Sequence, residues 1–279
     1  MSEITLQTVV ADLDRLPALS AVVQDLLDYL QQPEVDVGQV AQRIARDPTL
    51  AARLLRVANS SFYGLQGQVA TIADALVVLG LRSVRTLVTG AAVASHLQSL
   101  AVAGYDGRAF WSHSAGTALC ARTLARQVGA SPENAFTAGL LHDIGRLILA
   151  ARFPEAYRRV EAHRAQRDCY PLEAEREVLG FDHTQIGAAL AARWKFPAEI
   201  TAAISWHHSP ADQPDGSLAE LIHVADVMAH ALDFPGGEDD LVPQLSSVAW
   251  NRLGLGWIEF RRLLGEVDAQ RGDADRVLE

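Results

Sequence analysis

The sequence predicts an all-α protein, and three observations support that prediction. Apolar residues recur at spacings of three and four along most of the chain, which is the periodicity of one helix face. Capping residues and prolines stand directly before several of these segments. No run of residues alternates apolar and polar side chains as a half-buried strand does. We therefore expect a bundle of helices without a sheet.

The first hundred residues predict a helical N-terminal subdomain. Asp36 is placed to cap a short helix, and Asp47-Pro48 marks another helix start, because aspartate caps helices and proline fits their first turn. Thr71 opens a further helix that ends at a glycine. The helices predicted here lie near residues 16–30, 37–44, 48–59 and 71–80, with a long helix after residue 81.

The rest of the chain predicts a longer series of helices. Ser131-Pro132 and Phe196-Pro197 mark two clear helix starts, and residues 236–240 form a flexible acidic turn. The predicted helices lie near residues 107–128, 132–151, 154–167, 171–180, 182–194, 197–206, 217–232 and 255–270. The expected division is an N-terminal subdomain at 1–105, a helical core at 106–235, and a C-terminal helix and tail at 236–279.

Composition excludes several classes of protein. The net charge is -10 over 279 residues, which argues against non-specific nucleic-acid binding, since that needs a basic surface. Cys120 and Cys169 form no Cys-x-x-Cys pair, so a disulfide scaffold or cysteine zinc site is not expected. The N-terminus lacks a signal peptide pattern, and the uncharged stretch 86–105 is interpreted as a buried helix rather than a membrane span. A cytoplasmic protein without membrane or nucleic-acid partners is expected.

Histidines and aspartates concentrate in the second half of the sequence, among alanine, leucine, isoleucine and tryptophan. Polar side chains in such surroundings need partners, because burying them unpaired is costly. Neutral imidazoles and carboxylates are ligands that zinc, iron and manganese prefer, so a shared metal ion would satisfy several of them. The candidate metal ligands are His113, His142, Asp143, His183, His207, His208 and Asp226.

The His142-Asp143 dyad is the centre of this prediction. Neighbours on one helix point about 100° apart, so the two can share a metal if the dyad lies across a bundle core. His113 and Asp226 fall on the preceding and a later predicted helix, from which they would complete a ring of ligands. The remaining candidates would form a second, neighbouring position: His183, His207 and His208.

The alternative for any single histidine is an isolated core or surface residue. This is the interpretation for four of them, namely His96, His163, His223 and His230. Asp182 is expected to cap the helix near residues 182–194.

The order His113, His142-Asp143, Asp226 resembles the H…HD…D pattern of the HD superfamily of metal-dependent phosphohydrolases. More specific stretches resemble an HDOD domain, an HD-related output domain of bacterial signalling proteins. They are Leu16-Pro17-Ala18-Leu19, the run from Ile44 to Gly64, the segment from Thr71-Ile72 to Leu79-Gly80, and Gly180 through Trp194 and Pro197 to His207-His208. The resemblance covers most of the chain, residues 10 to 235. It implies a multi-helix HD-like bundle with an N-terminal helical subdomain.

The resemblance implies two function classes, which the sequence leaves open. In the first, the chain is a metal-binding regulatory output domain that acts by contact with a signalling protein. In the second, it is a metal-dependent phosphohydrolase that binds a phosphoester or nucleotide. Asp143 would then bridge the metals, and Arg146 would bind phosphate, since a guanidinium matches phosphate oxygens bidentately. Both classes imply one or two divalent ions, for which iron, manganese, zinc and nickel are equally suited.

The related HD-GYP phosphodiesterases, which cleave cyclic di-GMP, differ from this chain at two places. A lysine follows their HD dyad by three positions, where Arg146 stands here and keeps the charge. Their Gly-Tyr-Pro signature after the double histidine is missing, because a Ser-Pro-Ala-Asp segment at 209–212 follows His207-His208. Cyclic di-GMP hydrolysis is therefore not expected, and the sequence favours the regulatory class.

Overall fold

The computed structural model describes residues 4–13, 21–30, 32, 34–59, 69–81, 84, 88, 105–194, 196–214, 216–234 and 241–271. Helices and their connections account for these residues, and no strand occurs among them, so the predicted all-α class is confirmed. Within the same ranges, no helix combines the length and apolar character that crossing a bilayer would require.

The described residues contain fifteen α-helices. In chain order they are α1 (Leu6–Asp12), α2 (Ala21–Tyr29), α3 (Val37–Ile44), α4 (Pro48–Ala58), α5 (Ile72–Leu79), α6 (Gly107–Val128), α7 (Pro132–Leu141), α8 (Ile144–Arg152), α9 (Pro154–Arg167), α10 (Pro171–Leu179), α11 (His183–Arg193), α12 (Ala198–Trp206), α13 (Leu218–Ala231), α14 (Ser247–Leu253) and α15 (Trp257–Ala269). A short 3₁₀ helix, Pro210–Asp212, lies between α12 and α13.

The chain falls into two compact units, one made of Met1–Leu16 and Leu100–Asp268 and the other of Pro17–Ser99 and Ala269–Glu279. The first unit holds α1 and the helices from α6 onward, and the second holds α2 to α5. The predicted boundaries after residues 105 and 235 stay predictions.

Two central helices organise the first unit. α6 packs extensively against α7 and α13, and both α6 and α13 are buried over most of their length. The buried side of α6 is rich in alanine, including Ala115, Ala118 and Ala121, which are fully buried. Small side chains allow neighbouring backbones to approach closely, as at Gly139 of α7, where a Cβ would lie 2.8 Å from Cα of Ala118. α8 packs on α11, and α12 packs on both α11 and α13.

Local capping explains where several of these helices begin. The Asp106 carboxylate accepts the Ala109 N–H at 2.9 Å at the start of α6, and Ser131 caps α7. The Asp182 carboxylate accepts the Thr184 N–H at 3.0 Å, which confirms its predicted role as the cap of α11.

The second unit is a small helical assembly. α3 packs against α2 and α5, and α4 packs against α5. Asp36 and Asp47 each accept a backbone N–H from the first turn of the helix that follows, as predicted. Asn59 closes the segment after α4, because its amide donates to the Val69 carbonyl at 2.8 Å and its oxygen accepts the Val69 N–H at 3.0 Å.

The predicted helices near 107–128, 154–167 and 197–206 agree closely with those observed, but the single helix predicted at 132–151 was wrong. It is divided into α7 and α8, because the chain turns at His142 and Asp143. The sequence does not predict α1 and α14, whose 7 residues each are too few to show a periodic stripe. Three predicted elements lie wholly or mostly outside the described residues: the loop predicted at 60–70, of which only 69 and 70 are described, the helix predicted after residue 81, and the acidic turn predicted at 236–240.

Candidate metal centre

His142 and Asp143 occupy the turn that joins α7 to α8. Asp143 stands at the capping position of α8, but its carboxylate makes no capping hydrogen bond and is buried instead. Gly145 lets this turn approach the start of α11, since a Cβ on Gly145 would lie 2.0 Å from the carbonyl oxygen of His183. The missing side chain therefore allows Asp143 and His183 to meet.

One part of the cluster, the His113 end, gathers His113, His142, Asp226 and His230. α6 supplies His113, whose Nε2 lies 3.2 Å from Nε2 of His142 and 3.1 Å from Oδ1 of Asp226 on α13. Nε2 of His142 is 3.6 Å from Oδ1 of Asp226. Nε2 of His230, one turn further along α13, is 3.4 Å from the same oxygen.

The other part, the His183 end, gathers His183, His207 and His208 around Asp143. Oδ1 of Asp143 lies 3.1 Å from Nε2 of His183 and 3.5 Å from Nε2 of His207. Nε2 of His208 is 3.2 Å from Nε2 of His183. The same Asp143 oxygen is 3.6 Å from Nε2 of His142, so this carboxylate connects the two ends.

Hydrogen bonds on the far side of three rings fix their orientation. Nδ1 of His142 donates to the Gly139 carbonyl at 2.7 Å, and Nδ1 of His207 donates to the Ile204 carbonyl at 2.9 Å. A carbonyl oxygen only accepts, so the Nδ1 atoms carry the protons and the Nε2 atoms face the cluster. This is how histidine ligands of metals are usually oriented.

The third ring is held by a carboxylate instead of a carbonyl. Glu175 on α10 is buried, and its Oε2 lies 2.6 Å from Nδ1 of His183. The same oxygen accepts the backbone N–H of His183 at 2.8 Å. Glu175 therefore fixes both the ring and the first residue of α11.

Several polar atoms of the cluster make no hydrogen bond. Within the described part of the chain, Oδ1 of Asp143, Oδ1 of Asp226 and Nε2 of His207 are buried and without a hydrogen-bond partner. Leaving such atoms unpaired is costly. The two carboxylate oxygens lie close to neighbouring Nε2 atoms, so a cation between oxygen and nitrogen atoms would give each of them a partner.

The spacing of the ligand atoms fits a shared cation. Two adjacent ligands held about 2.0–2.1 Å from one ion lie roughly 2.8–3.4 Å apart in octahedral or tetrahedral geometry. The separations of 3.1 to 3.6 Å at both ends are close to that range. Three overlapping groups each have ligand atoms within 4.8 Å of one another: Asp143, His183, His207 and His208; His113, Asp226 and His230; and His113, His142 and Asp143.

Both cluster carboxylates are ionised at neutral pH. Burial alone would raise the pKa of Asp143, but the imidazoles of His142 and His183 hold it well below its usual value. Burial likewise opposes ionisation of Asp226, and the surrounding imidazoles again lower its pKa well below normal. Ionised carboxylates are the form that binds divalent cations.

Burial makes three of the imidazoles neutral. It lowers the pKa of His113 and of His207, despite the carboxylate beside each ring. Burial, together with the neighbouring rings of His207 and His183, lowers the pKa of His208 well below its usual value. A neutral imidazole offers a lone pair, so these residues are ready to bind a metal.

His142 and His183 behave in the opposite way. Burial is the largest influence on His183 and lowers its pKa, but the carboxylates of Glu175 and Asp143 outweigh it and raise the pKa to about 10. The carboxylates of Asp143 and Asp226 similarly overcome burial at His142 and raise its pKa. The proton on His183 offsets part of the negative charge of the cluster.

Arg146, the predicted phosphate-binding residue, lies on the first turn of α8. Its Nη1 donates to Oδ2 of Asp143 at 3.1 Å, so one oxygen of that carboxylate meets a guanidinium and the other meets imidazoles. The Arg146 side chain is 20% exposed and that of Asp143 is 6% exposed. The guanidinium therefore lies between the cluster and solvent.

The structure brings all the predicted ligands together, and their role as ligands stays a prediction. Sequence reasoning missed His230 and Glu175. The i, i+4 spacing of Asp226 and His230 on one helix was a usable signal, whereas nothing in the sequence links Glu175 to His183 across two helices.

The other histidines set aside from the cluster have separate roles where they are described. His223 donates from Nδ1 to the His207 carbonyl at 2.8 Å and accepts the Ser246 N–H at 2.9 Å, which supports the turn after α12. His163 pairs with Glu177 on the surface at 2.7 Å. His96 lies outside the described residues.

By its fold and its site, the protein is a helical bundle that holds a buried cluster of histidines and aspartates around the turn between α7 and α8. The HDOD domain family model matches residues 16–210, which is most of the chain, so the chain belongs to the HDOD family. The predicted resemblance is confirmed.

Two solved structures are similar over nearly the whole chain. A Shewanella amazonensis protein, provisionally named a phosphohydrolase, is 30% identical with a TM-score of 0.76, covering 97% of this chain and 98% of that one. A Marinobacter aquaeolei protein, provisionally named a signal transduction protein, is 26% identical with a TM-score of 0.74, covering 100% of this chain and 61% of that one.

Curated relatives match over shorter stretches. An uncharacterized protein of Treponema pallidum is 27% identical over 205 residues, which is 73% of this chain and 39% of that protein. Ribonuclease Y of Thermus thermophilus is 32% identical over 125 residues, which is 45% of this chain and 17% of that protein. The chain therefore spans only a minor part of the length of these relatives.

Proposed function

We propose that this HDOD domain binds two divalent cations in the His/Asp cluster and uses them to hydrolyse a phosphoester. The observation that carries the proposal is the pair of buried carboxylate oxygens, Oδ1 of Asp143 and Oδ1 of Asp226. Neither makes a hydrogen bond within the described residues, yet each lies 3.1 to 3.6 Å from imidazole Nε2 atoms on other helices. Such an arrangement is favourable when a cation lies between the ligands.

The two ends of the cluster would each hold one ion. His113, His142 and Asp226 would hold the ion at the His113 end, and His183, His207 and His208 the ion at the His183 end. Asp143 would bridge them, because its Oδ1 reaches imidazoles at both ends. The donor set of imidazole and carboxylate suits iron, manganese, zinc or nickel.

A divalent cation in such a site lowers the pKa of water and polarises a phosphoryl oxygen. The chain's own residues prepare the centre for this chemistry. Glu175 holds the Nδ1 proton of His183 and so directs Nε2 toward the cluster. Arg146 fixes Asp143 through one guanidinium nitrogen, and its remaining N–H groups are suited to phosphate oxygens at the solvent edge.

The proposed substrate class is a phosphoester, and the relatives support it. One similar structure is provisionally named a phosphohydrolase, and one partial match is named ribonuclease Y. Cyclic di-GMP is not the expected substrate, since the short helix Pro210–Asp212 follows the double histidine where HD-GYP enzymes carry Gly-Tyr-Pro. The carboxylate of Asp212 would also repel a dianion at short range.

A second candidate is a regulatory domain in which the metal is structural and a signalling protein binds the helical surface. The burial of the ligands favours it: His142 and His207 are fully buried, and a structural ion needs no open position. The similarity to a protein provisionally named a signal transduction protein is consistent with this candidate.

Activity of the metal-loaded protein separates the two candidates. Protein loaded anaerobically with iron or manganese is expected to hydrolyse a nitrophenyl phosphodiester, with activity abolished in Asp143→Ala. Arg146→Met is expected to lower kcat by about 100-fold, the usual effect of removing a donor to developing charge. Arg158→Met on the exposed side of α9 is the matched control and should leave kcat unchanged. Protein that binds ions but shows no turnover above Asp143→Ala would exclude the enzyme and favour the regulatory domain.

A further inference from the structure

His230 and Asp226 lie on the same face of α13. They are four residues apart, so one helical turn stacks their side chains. Nε2 of His230 is 3.4 Å from Oδ1 of Asp226, and the His230 side chain is 14% exposed. The imidazole therefore lies at the rim of the buried cluster and faces it.

The fold fixes His230 next to His113. Ser112 donates its hydroxyl to the Phe234 carbonyl at 2.6 Å, which ties α6 to the segment just after α13. Gly116 allows this approach, since a Cβ there would lie 2.3 Å from the ring of Phe234. As a result the rings of His113 and His230 have centroids 4.5 Å apart.

The ligand atoms of this corner of the cluster are spaced for one cation. His113, Asp226 and His230 each offer a ligand atom within 4.8 Å of the other two. Oδ1 of Asp226 is buried and receives no hydrogen bond within the described chain, although Nε2 of His230 is close to it. A cation at this corner would therefore satisfy Oδ1 of Asp226 and both imidazoles at once.

We propose that His230 is a metal ligand, which with His113 and Asp226 holds the cation at the His113 end. The proposal rests on the proposed function, and it adds a side chain outside the H…HD…D pattern to the ligand set. A further imidazole there would replace water as a ligand and strengthen binding of nickel, zinc or iron at this end.

The first test measures metal affinity in variants. Chelator-stripped protein is titrated with Mn²⁺ by calorimetry for the wild type, His230→Gln and His230→Ala. Glutamine can still donate a hydrogen bond to Asp226 but replaces the imidazole nitrogen with a poor ligand. Both variants are expected to lose more than about 100-fold in affinity at one site, beyond the effect of residues that only orient a ligand. His163→Ala, a surface histidine paired with Glu177, is the matched control and should bind as wild type.

The second test uses the wild-type protein and so does not depend on how a variant folds. Diethylpyrocarbonate modifies imidazole nitrogens, and mass spectrometry locates the modified residues. We expect Mn²⁺ to protect His230 while His163 stays reactive. Wild-type affinity in His230→Gln, or modification of His230 at saturating Mn²⁺, would overturn this proposal and leave the proposed function standing. A wild-type protein that binds no ion would overturn both.

Discussion

Asp143 is the residue on which the charge balance of the cluster depends. Its two oxygens meet a guanidinium on one side and imidazoles on the other, and its pKa is held well below normal although the residue is buried. Its position in a turn, rather than on a helix, lets one carboxylate reach both ends of the cluster. Residues that hold its neighbours in place should therefore affect metal affinity without touching the metal.

Glu175→Gln is expected to weaken metal binding by about 10–100-fold, the usual effect of losing a carboxylate behind a histidine ligand. The substitution keeps the size of the side chain and removes the charge that directs His183. Competition with a fluorescent chelator measures the affinity. Glu177→Gln on the same helix, where the side chain is exposed and pairs with His163, is the matched control. Equal affinities for the two variants would refute a role for Glu175.

Metal binding is expected to release protons and to strengthen as the pH rises. The pKa of His183 is about 10 without metal, so this ring is protonated at pH 7 and must lose a proton when Nε2 binds an ion. Affinity should therefore fall continuously as the pH drops from about 10. Calorimetry at pH 7 in two buffers of different ionisation enthalpy measures the release, which should be about one proton for the ion at His183. A binding heat that is the same in both buffers would contradict the predicted proton release.

The candidate ligands were predicted from their chemical type and their order along the chain. Glu175 could not be predicted in this way. The dyad His142-Asp143, with His113 before it and Asp226 after it, stood out because polar residues occurred among apolar ones. Glu175 stands in an ordinary amphipathic helix, and only the packing of α10 against the start of α11 reveals its partner. Such partnerships depend on tertiary contacts that no local pattern records.

At the level of elements, the turn between α7 and α8 is the decisive feature. Sequence periodicity predicted one helix through 132–151, because the residues on both sides of the dyad remain apolar and helix-forming. The break lies where tertiary packing is tightest, because α8 approaches α11 so closely at Gly145 that a Cβ there would lie 2.0 Å from the His183 carbonyl oxygen. Caps, by contrast, are local, and so Asp36, Asp47 and Asp182 were predictable.

Gly145→Ala is expected to destabilise the fold by roughly 1–3 kcal/mol, the usual cost of overpacking. A Cβ at residue 145 would lie 2.0 Å from the His183 carbonyl oxygen, so α8 and α11 must move apart. Metal affinity should fall as well, because Asp143 and His183 separate. Urea unfolding of the metal-free protein gives the stability, and the chelator assay gives the affinity.

The matched control is Gly265→Ala in α15, where a Cβ would meet nothing within 4 Å. Alanine in an exposed helix position is expected to stabilise by about 0.5–1 kcal/mol relative to glycine. If Gly145→Ala proved as harmless as Gly265→Ala, the close approach at α8 and α11 would not determine the site.

At the scale of the whole molecule, the all-helical class followed from periodicity, and the chain belongs to the family that the motifs resembled. The ions should contribute to the stability of the first unit, since binding free energy adds to folding free energy. Saturating Mn²⁺ at about 100 times its dissociation constant should stabilise the protein by about 2.7 kcal/mol. Chelation is therefore expected to lower the thermal unfolding temperature by about 5 °C or more. The Asp143→Ala variant, which lacks the carboxylate that reaches both ends of the cluster, should respond much less.

Elemental analysis of the purified protein tests the central claim most directly. The protein is prepared without a histidine tag or chelator, and its iron, manganese, zinc and nickel are quantified alongside Asp143→Ala. The buried, unpaired carboxylate oxygens lead us to expect about one to two ions per wild-type chain, and much less in the variant. A wild-type chain with no more metal than Asp143→Ala, even after incubation with each ion, would contradict the account.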